Sequence, residues 1–233
     1  MGIALLKPIL HQSPDLTLRR AVEIAQRAEA NEVVAGYTAD QALRGAWLGQ
    51  VAEALTLAQA ALKLERNRNV LTRTALAFAL AGDVARAQPV VQELEQKHPD
   101  DTLVNQVWLP EIKAVIELHK NNAQGALELL ETTKRYEAAA AFSPQTLRGM
   151  VYLKLGQGAA AAAEARKVLD HRGNAALSLL WPLAHLTIAR ASAMQGDTAQ
   201  ARKSYQEFFA LWKDADQDVP ILIDAKKEFE RLK

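Results

Sequence analysis

The densest cluster of chemically capable side chains is Asp170-His171-Arg172-Gly173, a carboxylate, an imidazole and a guanidinium in three consecutive positions. Such a trio would offer a general base, a carboxylate to orient it and a cationic clamp. The local pattern favours a structural role. Gly173 suits the left-handed end of a helix, and His171 and Arg172 suit the negative pole of the helix dipole. A second candidate, Asp214-Ala215-Asp216-Gln217-Asp218, has the alternating carboxylates of a calcium loop. Val219 stands where the sharp turn needs Gly, however, and Ala225 where a bidentate Glu is required. Asp218 before Val219-Pro220 reads better as a helix N-cap. The five histidines, His11, His98, His119, His171 and His185, lack metal-ligand spacing. Neither a Gly-rich phosphate loop nor a nucleophile elbow is present. With no Cys in the chain, thiol catalysis, cysteine-based metal sites and disulfides are excluded. No acid, base and nucleophile converge, so the expectation is a non-enzyme that needs no cofactor and no metal.

Charge narrows the partners. The 28 basic and 27 acidic residues leave a formal net charge of +1, and no Lys/Arg block forms the footprint of a nucleic-acid binder. No apolar run reaches the length of a membrane span, so membrane insertion is not expected. The opening Met1-Gly2-Ile3-Ala4-Leu5-Leu6-Lys7-Pro8 is too short and too soon interrupted for a signal peptide. These features predict a soluble chain. Hydrophobic residues make up 49% and aromatics only 6%, and Val, Ile and Thr do not gather in alternating runs. The chain therefore reads as all-α.

Five turns organise it: Gly49-Gln50, Gly82-Asp83, Asn121-Asn122, Gly156-Gln157 and Gly196-Asp197, spaced 33, 39, 35 and 40 residues apart. Seven residues before each turn stands Ala42, Ala75, Ala114, Gly149 or Ala189; five after it stands Ala54, Ala87, Ala126, Ala161 or Ala201. Gly and Asn tolerate φ > 0, which lets one helix stop and the next begin. The small residues let the two helices approach closely. Farther along the second helix come Ala58, Val91, Leu130, Ala165 and Tyr205, then Ala61, Leu94, Thr133, Val168 and Phe208. These offsets keep one face apolar, with Thr133 the weak match. Pro99, Ser143-Pro144 and Trp181-Pro182 mark breaks or first turns between pairs. At one end, Ser13-Pro14-Asp15 reads as a helix start followed by Leu18, Val22, Ala25 and Ala28, with Ile3 to Leu10 as the stub of a partner helix. At the other, Ile221, Leu222, Ala225, Phe229 and Leu232 share one face of a last helix. The organisation expected is partial repeat or cap helices over 1–32, repeated hairpins over 33–213 and a capping helix over 214–233.

The strings Ala75-Phe78-Gly82-Asp83-Ala87-Pro99, Tyr152-Gly156-Ala161 and Gly196-Asp197-Ala201-Tyr205-Phe208 resemble the tetratricopeptide repeat family over about residues 33 to 212. Gly45, Glu117 and Ser192 depart from it, standing where the family prefers an aromatic. Thr102-Leu103-Val104-Asn105-Gln106-Val107-Trp108-Leu109-Pro110, Val168 to Gly173 and Leu211 to Asp216 are similar to the repeat-containing tails of some bacterial regulators. In those, the tail follows a Ser/Thr kinase or winged-helix domain and lies on either side of a membrane, which leaves bacterial cytoplasm and an extracytoplasmic face both open.

The family resemblance implies a right-handed α-solenoid of about five helix hairpins with terminal capping helices. It also implies that first helices line a concave groove, which takes in Thr72, Arg73 and Leu76, then Trp108, Glu111, Ile112 and Val115. Thr146, Met150 and Lys154 follow, then Leu186 and Arg190. The paired Lys and Asn with which some members grip a terminal carboxylate are absent, so an extended or helical partner segment is expected. Two functions follow: a non-catalytic scaffold holding a protein or peptide partner, or a self-assembly module that homodimerises through a terminal helix.

Overall fold

The computed structural model describes residues 14–175 and 178–232, and among these the regular structure is helical with no strand. The expected helix stub at Ile3 to Leu10 lies outside the described residues. The chain divides into two compact units, Met1–Lys97 with Asp214–Val219, and His98–Lys213 with Pro220–Lys233.

The first unit contains α1 (Pro14–Arg27), α2 (Asn31–Trp47), α3 (Val51–Leu64), α4 (Arg68–Leu80) and α5 (Val84–Lys97). Each helix packs against its chain neighbour, and α2 also packs against α4. Asn67 caps α4 by accepting from the Val70 N–H at 3.0 Å, and Asp83 does the same for Arg86 at 2.9 Å. Ala35, Ala39, Ala61 and Val70 close a fully buried cluster. Pro89 lies inside α5 on its exposed side and does not end the helix.

The second unit begins with one π-helical turn, Val104–Trp108, running directly into α6 (Leu109–His119). Then come α7 (Ala123–Glu131), a 3-10 stretch Thr132–Ala139, α8 (Ser143–Lys154) and α9 (Gly158–Asp170). A short 3-10 turn Arg172–Ala175 leads to α10 (Leu180–Met194), α11 (Thr198–Leu211) and α12 (Pro220–Glu230). α8 packs against both α6 and α10 as well as its partner α9. Leu222 and Ala225 of α12 are buried, and Phe229 meets Phe209 edge-to-face at 5.7 Å between ring centres. The apolar face expected of the last helix is therefore the packed one.

All five expected turns have the same geometry. Gly49, Gly82, Asn121, Gly156 and Gly196 carry φ of 80°, 81°, 58°, 73° and 77°. The next residue's N–H reaches back five residues to a carbonyl: Gln50 to Gly45, Asp83 to Phe78, Asn122 to Glu117, Gln157 to Tyr152 and Asp197 to Ser192. This closure satisfies carbonyls that a helix end would leave open. The ten flanking small residues are all buried. A sixth turn of this kind joins α1 to α2, with Glu29 at φ 53° and the Ala30 N–H bonded to Ala25 O at 3.0 Å. Its residue type gave no signal, because a glutamate is not selected for the left-handed region.

Close approach sets the tolerance of the fold. A Cβ added at Gly158 would lie 2.8 Å from the Ala191 carbonyl oxygen, whereas one added at Gly36, in α2, meets nothing within 4 Å. Gly158→Ala is expected to destabilise the protein by about 1–3 kcal/mol through forced separation of α9 from α10. Gly36→Ala is expected to be neutral or stabilising by up to ~1 kcal/mol. Thermal melts of the two variants, followed by helical circular dichroism, check the contrast.

Candidate functional site

The strongest electrostatic feature is built on α8, one residue before its small Gly149. Arg148 is completely buried, a position that a guanidinium occupies only with its donors satisfied. Nε and Nη2 donate to Glu164 Oε2 of α9 at 3.0 and 2.9 Å, and Nη1 donates to Thr133 Oγ1 at 2.9 Å. Nη2 also donates to Glu137 in the 3-10 stretch. Lys167 adds a second cation, 2.9 Å from Glu164 Oε1 and 3.9 Å from Glu137. Two cations therefore face two carboxylates.

Thr133, the one polar residue in the apolar stripe, is explained here: its hydroxyl accepts from Arg148 and donates to the Leu130 carbonyl at 2.6 Å. The expected set omits this cluster. Its signal was an arginine and a glutamate, Arg148 and Glu164, standing at apolar phases of α8 and α9.

Beside this cluster lies Glu111 of α6, 2% exposed. Burial pushes its carboxyl up to about 8, against the smaller opposing pull of the Ser143 hydroxyl and the Arg148 charge. By donor–acceptor geometry Glu111 Oε1, Ser143 Oγ and Gln145 Oε1 are all buried without a hydrogen-bond partner. A neutral carboxylic acid fits such surroundings far better than a carboxylate.

The expected groove residues fall in both units. On α4 of the first unit, Thr72 and Leu76 are buried, and Thr72 donates to the Arg68 carbonyl. Arg73 is partly exposed and paired with Asp40 of α2. In the second unit Trp108 is half-buried in the π-turn, while Glu111, Ile112 and Val115 are buried along α6. On α8 Thr146 is buried and donates to the Phe142 carbonyl, and Met150 and Lys154 are exposed.

Leu186 on α10 is buried, and Arg190 is held by Glu228 of α12 through contacts of 2.9 and 3.0 Å. The Tyr205 hydroxyl donates to the same Glu228 at 2.7 Å, and burial together with that carboxylate raises its own pKa. Arg190 thus fastens the last helix. Of the other second-unit members, Trp108 is half-buried and Met150 and Lys154 are exposed.

His171 lies at the end of α9 with Nδ1 2.8 Å from the Lys167 carbonyl, and Arg172 stacks over Trp181 at 4.2 Å from the ring centre. Gly173 sits in the 3-10 turn without positive φ, so the left-handed cap expected there is not formed. Among the described residues no group of three His, Asp or Glu side chains is placed to hold a metal ion. An open polar cleft of about 460 Å³ lies between the chain after α5 and the 3-10 stretch, with Asp101, Asn105, Arg135 and Tyr136 on its walls. None of the expected groove residues lines it. No helix among the described residues is long and apolar enough to cross a membrane. No family model and no curated protein matches the chain.

Removing Arg148 leaves Lys167 as the one cation of this cluster facing Glu164 and Glu137. Arg148→Ala is expected to lower the stability of the second unit by ~3–5 kcal/mol; Arg148→Lys keeps the charge and is expected to cost less, though still something, since an ammonium cannot fork between Glu164 and Glu137. Urea denaturation monitored by second-unit tryptophans measures both.

Proposed function

We propose that the chain is a non-catalytic interaction scaffold: a right-handed tetratricopeptide-like α-solenoid that holds a peptide or partner domain along the first helices of its pairs. It would serve as the docking part of a bacterial signalling or regulatory protein. The observation that carries this reading is the recurrence of one hairpin geometry. Five pairs share the left-handed turn, the reach-back bond and buried small residues on both sides. Repetition of that kind yields extended binding surfaces and does not require a catalytic centre. In the second unit the packing of α8 against α6 and α10 sets first helices side by side, as a lined groove requires. Trp108, Met150 and Lys154 then combine an aromatic anchor, an adaptable thioether and a charge.

Arg73 and Arg190 are poor probes of this surface, because their pairs with Asp40 and Glu228 serve packing. The test is crosslinking capture from a bacterial lysate with the wild type and a Trp108→Ala, Met150→Asp, Lys154→Glu variant, matched for helicity and melting temperature. A partner held by the wild type and weakened at least tenfold in the variant is the expected result. Equal capture would move the working surface elsewhere.

Self-assembly is the second reading, favoured by Ile24, Val33 and Tyr37 on α1 and α2, which are 60%, 47% and 37% exposed. It requires a mass above the monomer in light scattering that Val33→Asp with Tyr37→Asp reduces. A concentration-independent monomer would sink it.

A further inference from the structure

Ten residues before each turn stand Ala39, Thr72, Glu111, Thr146 and Leu186, and all five are buried. Ala and Leu at this offset need no polar partner. Thr72 and Thr146 satisfy their hydroxyls on the carbonyl four residues earlier, each at 2.8 Å. Glu111 has no such outlet. Its side chain is buried with Oε1 lacking a partner by donor–acceptor geometry, and the Ser143 hydroxyl is buried without one by the same measure.

Ser143 begins α8 immediately after the most irregular joint among the described residues. Tyr136 breaks the 3-10 stretch at φ −121° and ψ 18°, and Ala141 and Phe142 both take left-handed φ, 46° and 76°. Residues other than glycine hold that conformation only when surrounding contacts impose it. The contacts here are the burial of Phe142, the Ser143 N–H bond to the Ala140 carbonyl at 2.9 Å, and the Arg148 bonds to Thr133 and Glu137.

We propose that Glu111 is a proton-controlled latch on this joint: neutral, it stays seated beside Ser143 and holds the Thr132–Ala139 stretch and the start of α8 in place; ionised, it withdraws to water and lets the joint open. An open joint would change the face that α6 and α8 present without unfolding the unit. The inference does not depend on what that face binds.

The electrostatic surroundings offer the ionised form little. Arg148 of α8 is the charge that acts on Glu111, and it is already committed to Glu164 and Glu137. On the 3-10 stretch and α7, Lys134 pairs with Glu131 at the surface, and Arg135 and Glu128 are exposed. On α6 itself Glu117 is turned to Lys120 and Asn122, Lys113 is partly exposed and His119 is exposed. Lys154, at the far end of α8, is exposed.

The sign follows from the direction of the shift. The closed joint holds its proton to about 8, and an opened one releases it near the ordinary 4.5. Closure is therefore fully favoured at acid pH and is lost as pH rises through about 8. Between those limits the opening equilibrium grows about tenfold per pH unit, then levels off.

Hydrogen exchange on the full chain, wild type against Glu111→Gln at each pH from 6 to 9, tests this. The direct pH effect on exchange chemistry cancels in that comparison. The expected result is wild-type protection over 132–145 that falls, relative to the variant, by about tenfold per unit between pH 6 and 8, with α10 and α11 unchanged. Two proteins that track each other would overturn the latch, and so would a loss spread equally over α10 and α11. Carbon-detected titration of the wild-type carboxyls is a check that does not rely on the variant folding. A set of glutamates all titrating below pH 6 would equally overturn the proposal.

Discussion

Each hairpin depends on two helices meeting at backbone distance across a turn that only one backbone conformation closes. The left-handed residue reverses the chain, and the following N–H returns to the helix just finished. The first residues after the turn are thereby aimed back along that helix. Any bulk at the paired small positions would force the axes apart and break the closure. That is why Ala42 and Ala54, or Gly149 and Ala161, go together and are buried. The dense interior follows from this constraint. With little side-chain volume between the helices, the larger apolar groups, Leu94, Leu130, Val168 and Phe208, are left to fill the deeper end of each pair.

Variation in spacing is absorbed outside that constraint. The two longest intervals contain the chain from Pro99 into the π-turn and the Arg172–Ala175 turn with the approach to α10. In the interval between Asn121 and Gly156, α7 stops at Glu131 and a 3-10 stretch takes over. Turn geometry is kept while the connections change, as expected where one is a steric requirement and the other a matter of chain length. The irregular connection after α7 is also where polar groups enter the interior. Arg148 is stable there because Glu164, Glu137 and Thr133 share its donors. Such a cluster contributes less to net stability than its short contacts suggest, since desolvation offsets most of the attraction. Its stronger effect is on specificity, because a wrong register for the 132–139 stretch would strand a buried charge.

Glu111 belongs to the same interior and has the opposite character. The Arg148 group is closed and balanced, whereas Glu111 is compatible with its site only while it keeps its proton. A balanced ion cluster and a lone acid on neighbouring helices give this part of the second unit both a fixed anchor and a group that responds to pH. Binding at the adjoining face would act on the same helices.

Much of the architecture was legible from the chain itself. Glycine or asparagine at five places, with small residues at two fixed offsets, determined where helices end, which helices pair and which faces close, because those rules are local sterics. The start of α1 at Pro14, the break at Pro99 and the packed face of α12 were readable for the same reason. Tertiary structure decided what local rules do not reach. Glu29 takes the left-handed turn conformation without the residue type that announces it, because the packing of α1 on α2 imposes it. Pro89 stays inside α5, where its side of the helix faces solvent and the chain continues past it. Arg73 and Arg190 have the residue type of a binding surface, yet they are held by Asp40 and Glu228, partners 33 and 38 residues away in sequence. The state of Glu111 was beyond any sequence pattern: a glutamate's proton affinity is set by what surrounds it in space, and only folding brings Ser143 and Arg148 beside it.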